Sequence, residues 1–291
     1  MWEHLQIELY KVFKRPRTYL SFAAITALIG VIQLGLLVDG KEYADFVMAD
    51  FANSFSVDGK ILNGYFICYV ILQLLLVHVP LLIALIAADM ISGEANMGTL
   101  RILLTKPQSR TAIVMAKFIA SVIYTLLLLI WIAIMGLFLS MLIFGTDDLF
   151  LMKSSYVVIV KESDVFWRYA GAFCFAALAM VTVAALGFFL SFFAENSIGP
   201  IVATMSVIIV CTILSTMNIP LFNLIKRYLF TTHMITWKEF FDFRVNDANE
   251  AIIGSIQYPD KIIRSATVLA IHIVLFVGSA VWLFRKKDIL S

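Results

Sequence analysis

The sequence predicts an all-α membrane protein with six transmembrane helices, and three observations lead to that prediction. Hydrophobic residues make up 62% of the 291 residues and charged residues 14%, whereas soluble domains contain about 45–50% apolar and about 25% charged residues. Six apolar runs each approach or exceed the ~20 residues that a helix needs to cross a bilayer. As drawn, these runs contain no Asp, Glu, Lys or Arg.

The predicted spans follow one another along a single transmembrane domain that covers residues 1–291. They are residues 19–38, 65–88, 118–144, 169–193, 198–217 and 265–284. The first run is longer than the apolar core of a signal peptide, so we expect it to remain as the first span. The fourth and fifth runs are joined by four residues only, which predicts an antiparallel hairpin.

Two further segments have an amphipathic pattern. Residues 1–17 place their apolar side chains on one helical face, which predicts an interfacial helix that rests on membrane lipids. Residues 218–264 contain apolar and aromatic clusters that are too short and too charged to span the bilayer. We therefore expect re-entrant or interfacial helices between the fifth and sixth spans, and the sequence leaves both possibilities open.

The distribution of basic residues predicts the orientation. If both termini are cytoplasmic, the inner side carries eleven Lys and Arg residues and the two shorter outer connections carry five. Positive charge favours the cytoplasmic side, and long loops weigh less in this rule. The segment 218–264 holds another six, which weakens the prediction without reversing it. The expected location is the cell inner membrane, with both termini in the cytoplasm.

The polar stretch 89–117 separates the second and third predicted spans and is the best candidate for a functional site. Gly93 and Gly98 permit sharp bends in the backbone. Leucines then recur at helical spacing until a proline, which predicts a short amphipathic helix across the cytoplasmic mouth. Physical chemistry alone allows two roles for this helix: docking to a partner protein, or resting on lipid headgroups.

The same stretch resembles the loop after the second span in permease subunits of ABC-2-type exporters. The pattern reads D-x-I-S-G-E-x-x-x-G-T-L-R-x-L-L-x-x-P-x-S-R and is followed by a lysine. The matching residues are Asp89, Ser92, Gly93, Glu94, Gly98, Thr99, Leu100, Arg101, Leu103, Leu104, Pro107, Ser109, Arg110 and Lys117. Outside this loop the resemblance extends to the number and order of the spans and is otherwise diffuse.

The resemblance implies a coupling helix that sits in a groove of a separate ATPase subunit. The implied ATPase-coupling residues are Glu94, Gly98, Thr99, Leu100, Arg101, Leu103, Leu104, Pro107 and Arg110. Glu94 and Arg101 are candidates for polar contacts with the partner, and the leucines for its buried side. The family also implies that the N-terminal helix flanks the ATPase and that re-entrant helices plug the exit.

The chain lacks the residues of an energy source of its own. It has no G-x-x-x-x-G-K-[ST] motif and no motif of a metalloprotease or serine hydrolase, so we expect no enzyme active site and no cofactor in this chain. Ion-coupled transporters keep ionisable groups at membrane depth. Only His78 and His272 could titrate inside the predicted spans, and lone histidines there are more often hydrogen-bonded packing residues.

These observations predict the permease subunit of an ATP-driven exporter, with ATP and Mg²⁺ bound by the partner ATPase. The expected partners are two ATPase subunits, a second permease copy or paralogue, and membrane lipids, but no nucleic acid. The mostly apolar spans favour an amphipathic or hydrophobic substrate, such as a peptide antibiotic, a drug or a lipid-linked molecule. The alternatives are an ATPase-coupled component that transmits force or a signal, and an ion or secondary transporter.

Overall fold

A computed structural model of the chain describes most of its residues. The described ranges are 2–40, 42, 60–99, 109–152, 157–217, 219–246 and 251–286. The helices of these ranges are α1 (Trp2–Lys14), α2 (Pro16–Val38), α3 (Gly64–Leu74), α4 (His78–Ala87), α5 (Asp89–Asn96), α6 (starting with Arg110–Ala133), α7 (Glu162–Leu190), α8 (Ile198–Thr216), α9 (Asn223–Lys226), α10 (Phe230–Met234) and α11 (Pro259–Lys286).

The prediction of a mainly helical chain with long apolar helices is confirmed. Five of the described helices, α2, α6, α7, α8 and α11, are long and apolar enough to cross a membrane. Helix α6 passes through a π-helical turn at Ile134–Phe138 and continues to Phe144. The pair α3 and α4 passes the same test only when it is taken together, so the number of candidate spans is five or six.

The second predicted span, residues 65–88, is broken rather than continuous. Helices α3 and α4 are bent by 56° relative to each other across the turn at residues 75–77. Pro80 lies in the first turn of α4, where its missing N–H cannot bond to the carbonyl of Leu76. The His78 ring lies 3.0 Å from the carbonyl oxygen of Leu74, so a side chain occupies part of the interrupted hydrogen-bond ladder.

Helix α7 is the central element of the described bundle. More than half of its most apolar window is buried, whereas only 17–22% of the corresponding windows of α2, α8 and α11 is buried. Small residues along α7, including Ala179, Ala184 and Gly187, allow neighbouring helices to approach closely. The exposed apolar faces of the outer helices suit contact with lipid or with another membrane chain.

A short β-hairpin lies between α6 and α7, where the sequence predicts only a connection. Strand β1 (Leu149–Met152) pairs antiparallel with β2 (Val157–Val160), with Leu149 opposite Val160. The run of β-branched residues in β2 favours this conformation. The chain is therefore mainly helical rather than strictly all-α.

The segment predicted as re-entrant or interfacial consists of short helical pieces packed between the long helices. Two 3₁₀ turns, Pro220–Phe222 and Ile235–Phe241, flank α9 and α10. The ring of Phe230 in α10 lies 5.9 Å from the ring of His272 in α11, and the Trp237 ring lies 5.5 Å from the Tyr69 ring in α3. The described part of the segment therefore packs against α3 and α11.

Candidate functional site

The motif of the predicted cytoplasmic stretch begins in a buried helix, not in an open loop. Helix α5 follows α4 after a single turn residue, and each residue from Asp89 to Glu94 is buried. Two carboxylates are therefore withdrawn from water, and burial of a charge is costly unless it is paired. The structure supplies a pairing partner for each of them.

Glu94 lies at the centre of an ion-pair cluster, defined here as Glu8, Lys11, Glu94 and Lys117. Its Oε1 atom lies 2.7 Å from Lys11 Nζ and 2.7 Å from Lys117 Nζ. Glu8 completes the cluster, because its two carboxylate oxygens lie 2.9 Å from Lys11 Nζ and 2.8 Å from Lys117 Nζ. Two negative and two positive charges thus balance, and the cluster joins α1, α5 and α6.

The pKa values of two cluster members reflect this balance. Burial raises the pKa of Glu94, but the charge of Lys117 and the hydrogen bonds from both lysines outweigh burial, so the pKa is lowered from its ordinary value. Burial lowers the pKa of Lys11, but hydrogen bonds to Glu94 and Glu8 outweigh it, so that pKa is raised. Both shifts favour the charged forms of Glu94 and Lys11.

Asp89 ties the start of α5 to the start of α2. Its carboxylate accepts a hydrogen bond of 2.5 Å from Arg15 and lies 3.5 Å from the guanidinium of Arg17. Gly93 leaves room for this carboxylate, because an added Cβ would lie only 2.5 Å from Asp89 Oδ1 and the Asp89 side chain would have to shift. A cleft of about 230 Å³ opens at this point, and Ser197, which precedes α8, also lines it.

The described part of the coupling motif ends just after α5. Gly98 has a φ of +70°, a conformation that glycine adopts readily and other residues seldom do. The hydroxyl of Thr99 donates a hydrogen bond of 3.3 Å to the carbonyl of Glu94. The remaining predicted residues of the amphipathic helix, Leu100, Arg101, Leu103, Leu104 and Pro107, lie outside the described residues.

Arg110 lies at the far end of the motif and contacts a different element. Ser109 caps α6 by accepting a hydrogen bond from the N–H of Ala112. The guanidinium of Arg110 donates to the carbonyls of Phe284 and Arg285, at 3.4 and 3.3 Å, near the end of α11. A cation at a helix C-terminus interacts favourably with the helix dipole. Arg110 is thus separate from the ion-pair cluster.

The structure shows Glu94 in ion pairs within its own chain, and its expected contact with a partner protein stays a prediction. The sequence presents it as a polar contact for a partner protein, but its side chain is only 5% exposed and is held by two lysines of the same chain. Sequence reasoning missed Glu8 and Lys11 as members of the cluster around Glu94, and Arg15 and Arg17 as the partners of Asp89. One signal was available, because Glu8 falls between Leu5 and Val12 on the buried face of α1.

Each of the two predicted histidines contacts the backbone carbonyl four residues earlier in the chain. His272 Nδ1 lies 2.8 Å from the carbonyl oxygen of Val268, four residues earlier, as His78 does with Leu74. Within the part of the chain that the structure describes, no group of three His, Cys, Asp or Glu side chains is arranged to hold a metal ion.

Comparison with known proteins gives a family and one distant relative. The family model described as "Protein of unknown function (DUF2705)" matches residues 22–290. The chain is 26% identical over 211 residues to the uncharacterized protein YhcI of Bacillus subtilis (strain 168). That alignment covers 70% of this chain and 63% of the relative, so the chain spans less than two thirds of the curated relative that it matches.

Proposed function

This chain belongs to the DUF2705 family, and we propose that it is the membrane permease subunit of an ATP-driven exporter of the ABC-2 type. The observation that carries the proposal is the ion-pair cluster around Glu94. It fixes the helix from which the predicted coupling segment emerges to two other helices of the bundle. The given sequence contains no ATP-binding motif, and the proposal places the energy source in a partner chain.

The cluster would act as a rigid link between the coupling segment and the bundle. Lys117 lies on α6, so a displacement of α5 is transmitted to α6 through Glu94. Arg15 connects α5 to the start of α2 through Asp89, so the same displacement reaches α2. A partner that closes on ATP can then shift the equilibrium between two packings of the bundle, provided that it binds them with different affinity.

The proposed topology has six spans with the bent pair α3 and α4 as the second. Both termini, α1 and the segment 89–109 lie in the cytoplasm, and α1 rests in the membrane interface beside the partner. We propose that the segment 218–264 forms the re-entrant plug at the outer mouth, and the contact of Phe230 with His272 in α11 supports its entry into the bundle. Lys and Arg content favours this orientation.

The proposed complex contains two copies of the ATPase, which bind ATP and Mg²⁺, and a second permease copy or paralogue. The exposed apolar faces of α2 and α8 are available for that second permease or for lipid. We propose an amphipathic or hydrophobic substrate, such as a peptide antibiotic, a drug or a lipid-linked molecule. The described spans that support this assignment are lined by apolar side chains with few hydrogen-bonding groups.

A site-specific cross-link tests the coupling role. A photo-cross-linking residue placed at Leu104 in the predicted coupling helix should trap an ATPase chain with a Walker-A motif in membranes of the producing cell. The matched control places the same residue at Leu142, whose side chain is 83% exposed on α6. That position should give only lipid adducts or cross-links to another permease chain.

Recovery of no ATPase from Leu104, or equal recovery from Leu142, would count against the proposal.

Substitution of Glu94 by Ala distinguishes transport from a role in force or signal transmission. In reconstituted vesicles that contain the complex, the Glu94→Ala variant should still insert and hydrolyse ATP, but export of the substrate should no longer accompany hydrolysis. Unchanged export by this variant would show that the cluster does not couple the two.

A further inference from the structure

A basic cavity of about 590 Å³ lies at the opposite end of the bundle from the ion-pair cluster. Ser197, just before α8, lines the cleft beside α5, and the 19 residues of α8 carry the chain ~28 Å away at 1.5 Å per residue. The cavity is built from residues that follow α8. Its charged lining residues are Lys226, Arg227, Arg244, Asp260, Lys261 and Arg264.

Most of this positive charge is not paired with acidic residues in the part of the chain that the structure describes. Lys261 pairs with Glu239 at 2.6 Å. The other basic residues of the lining, Lys226, Arg227, Arg244 and Arg264, form no ion pair with any residue that the structure describes. In the proposed topology these residues lie outside the cytoplasm, against the usual charge bias of membrane insertion. Four cations around one cavity that form no ion pair among the described residues favour an anionic ligand there.

The inner wall of the cavity adds hydroxyl and imidazole groups. The hydroxyl oxygen of Thr232 is buried and has no hydrogen-bond partner among the described residues. An unpartnered buried hydroxyl is costly, and a ligand oxygen in the cavity would satisfy it. Beside it, His233 and Thr236 both hydrogen-bond to the hydroxyl of Ser265, at 2.9 and 3.1 Å, which fixes this wall.

Exposed apolar side chains occur close in sequence to the basic lining residues. Leu224 is 73% exposed, Tyr228 is 65% exposed and Ile263 is 64% exposed. The basic residues of the lining include three arginines, Arg227, Arg244 and Arg264. Arginine is well suited to phosphate, because its guanidinium presents a fork of N–H donors to the phosphate oxygens.

We infer that this cavity binds a phosphate anion, presented either by the headgroup of a lipid or by free phosphate. The phosphate would lie between Arg227 and Arg264 and accept a hydrogen bond from Thr232. This inference is independent of the coupling role proposed above, because it concerns the other end of the chain and needs no ATPase. Its test can therefore fail or succeed separately from the cross-linking experiment.

Two binding measurements on the purified full chain test the inference. The first is native mass spectrometry of chain released from nanodiscs that contain phosphatidylglycerol and phosphatidylcholine. The second is thermal unfolding in a neutral detergent with inorganic phosphate or with chloride at equal ionic strength. The test variant is Arg227→Gln with Arg264→Gln, and the control is Lys14→Gln with Lys161→Gln, which removes the same charge from residues outside the cavity.

A lipid headgroup is supported as the source of the phosphate if the cavity variant retains at least about tenfold less phosphatidylglycerol while the control retains as much as the native chain. Stabilisation by inorganic phosphate that the cavity variant alone loses supports free phosphate. The inference is overturned if neither ligand distinguishes the cavity variant from the control. It is also overturned if both variants lose binding equally, since that result indicates diffuse surface charge.

Discussion

At the scale of single residues, Glu94 and Lys117 show how a buried charge can be tolerated in a membrane protein. The side chain of Lys117 is fully buried, yet it lies within 2.8 Å of two carboxylates. Breaking a buried ion pair leaves the partner charge without compensation, and this usually costs more than the pair contributes when intact. The cluster should therefore respond strongly to the loss of any one member.

The first prediction concerns Glu94→Gln. It removes one of the two carboxylates and leaves Lys11 and Lys117 to share Glu8, so we expect a loss of about 3 kcal/mol in the free energy of unfolding. Thermal or denaturant unfolding of the purified chain in detergent measures this. Glu162→Gln, at an exposed position in the first turn of α7, is the control and should change stability little. Equal stability of the two variants would contradict the cluster's role.

The second prediction concerns pH. The pKa of Glu94 is lowered in the folded chain from its ordinary value of 4.5, so its contribution to stability is fully present above that value. This contribution is lost as the pH falls through the lowered pKa. The difference in unfolding midpoint between the native chain and Glu94→Gln should therefore narrow below pH 4.5. A difference that stays constant from pH 7 down to acid would refute the assigned shift.

At the scale of elements, the end of α6 packs directly on the start of α3. Asn63 caps α3 by accepting a hydrogen bond from the N–H of Phe66, and its amide donates to the carbonyl of Asp148 at 2.8 Å. Gly64 donates its N–H to the carbonyl of Gly145 at 2.8 Å. This contact holds the first half of the broken span against α6 and its following hairpin.

The third prediction follows from that contact. In Gly64→Ala, the new Cβ would lie 2.5 Å from the backbone N of Met141, and a helix backbone cannot move aside as a flexible side chain does. We expect a loss of about 1–3 kcal/mol in the free energy of unfolding. Gly30→Ala in α2 is the control, because nothing lies within 4 Å of its added Cβ. A Gly64 variant as stable as this control would disprove the close packing.

At the scale of the whole molecule, two polar sites mark the two ends of the bundle. The ion-pair cluster and the cleft beside α5 lie at one end, and the basic cavity lies at the other. Helix α7 runs between them and buries much of its apolar surface against α4, α6 and α11. A change in packing at the first end thus has a continuous helical route towards the second.

The fourth prediction tests this arrangement across the membrane. Single cysteines are placed at Met97, 57% exposed near the cluster, and at Tyr258, 48% exposed near the cavity, after the native cysteines have been replaced. A membrane-impermeant maleimide added to intact cells should label the residue at 258, and the residue at 97 only after permeabilisation. Labelling of position 97 from outside would reverse the proposed orientation.

The sequence by itself determined the class of the protein, most of the apolar helices and the position of the motif. Apolar length and charge content are sums over neighbouring residues, so they can be read without knowledge of the fold. Helix α5 starts at Asp89, the first residue of the motif, and the motif glycine Gly98 has a positive φ. Both features depend on residues that are adjacent in the sequence, so the sequence alone could indicate them.

Only the tertiary structure decided which charges meet. Glu94 and Lys11 are 83 residues apart, and Lys117 and Glu8 are 109 residues apart, so their pairing depends on which helices become neighbours. The basic cavity also depends on tertiary structure, because its lining combines basic residues of α9 and α11, which are distant in the sequence. The bend between α3 and α4 also depended on context, because a proline in an apolar run is compatible with either a kinked or a broken helix until its neighbours are known.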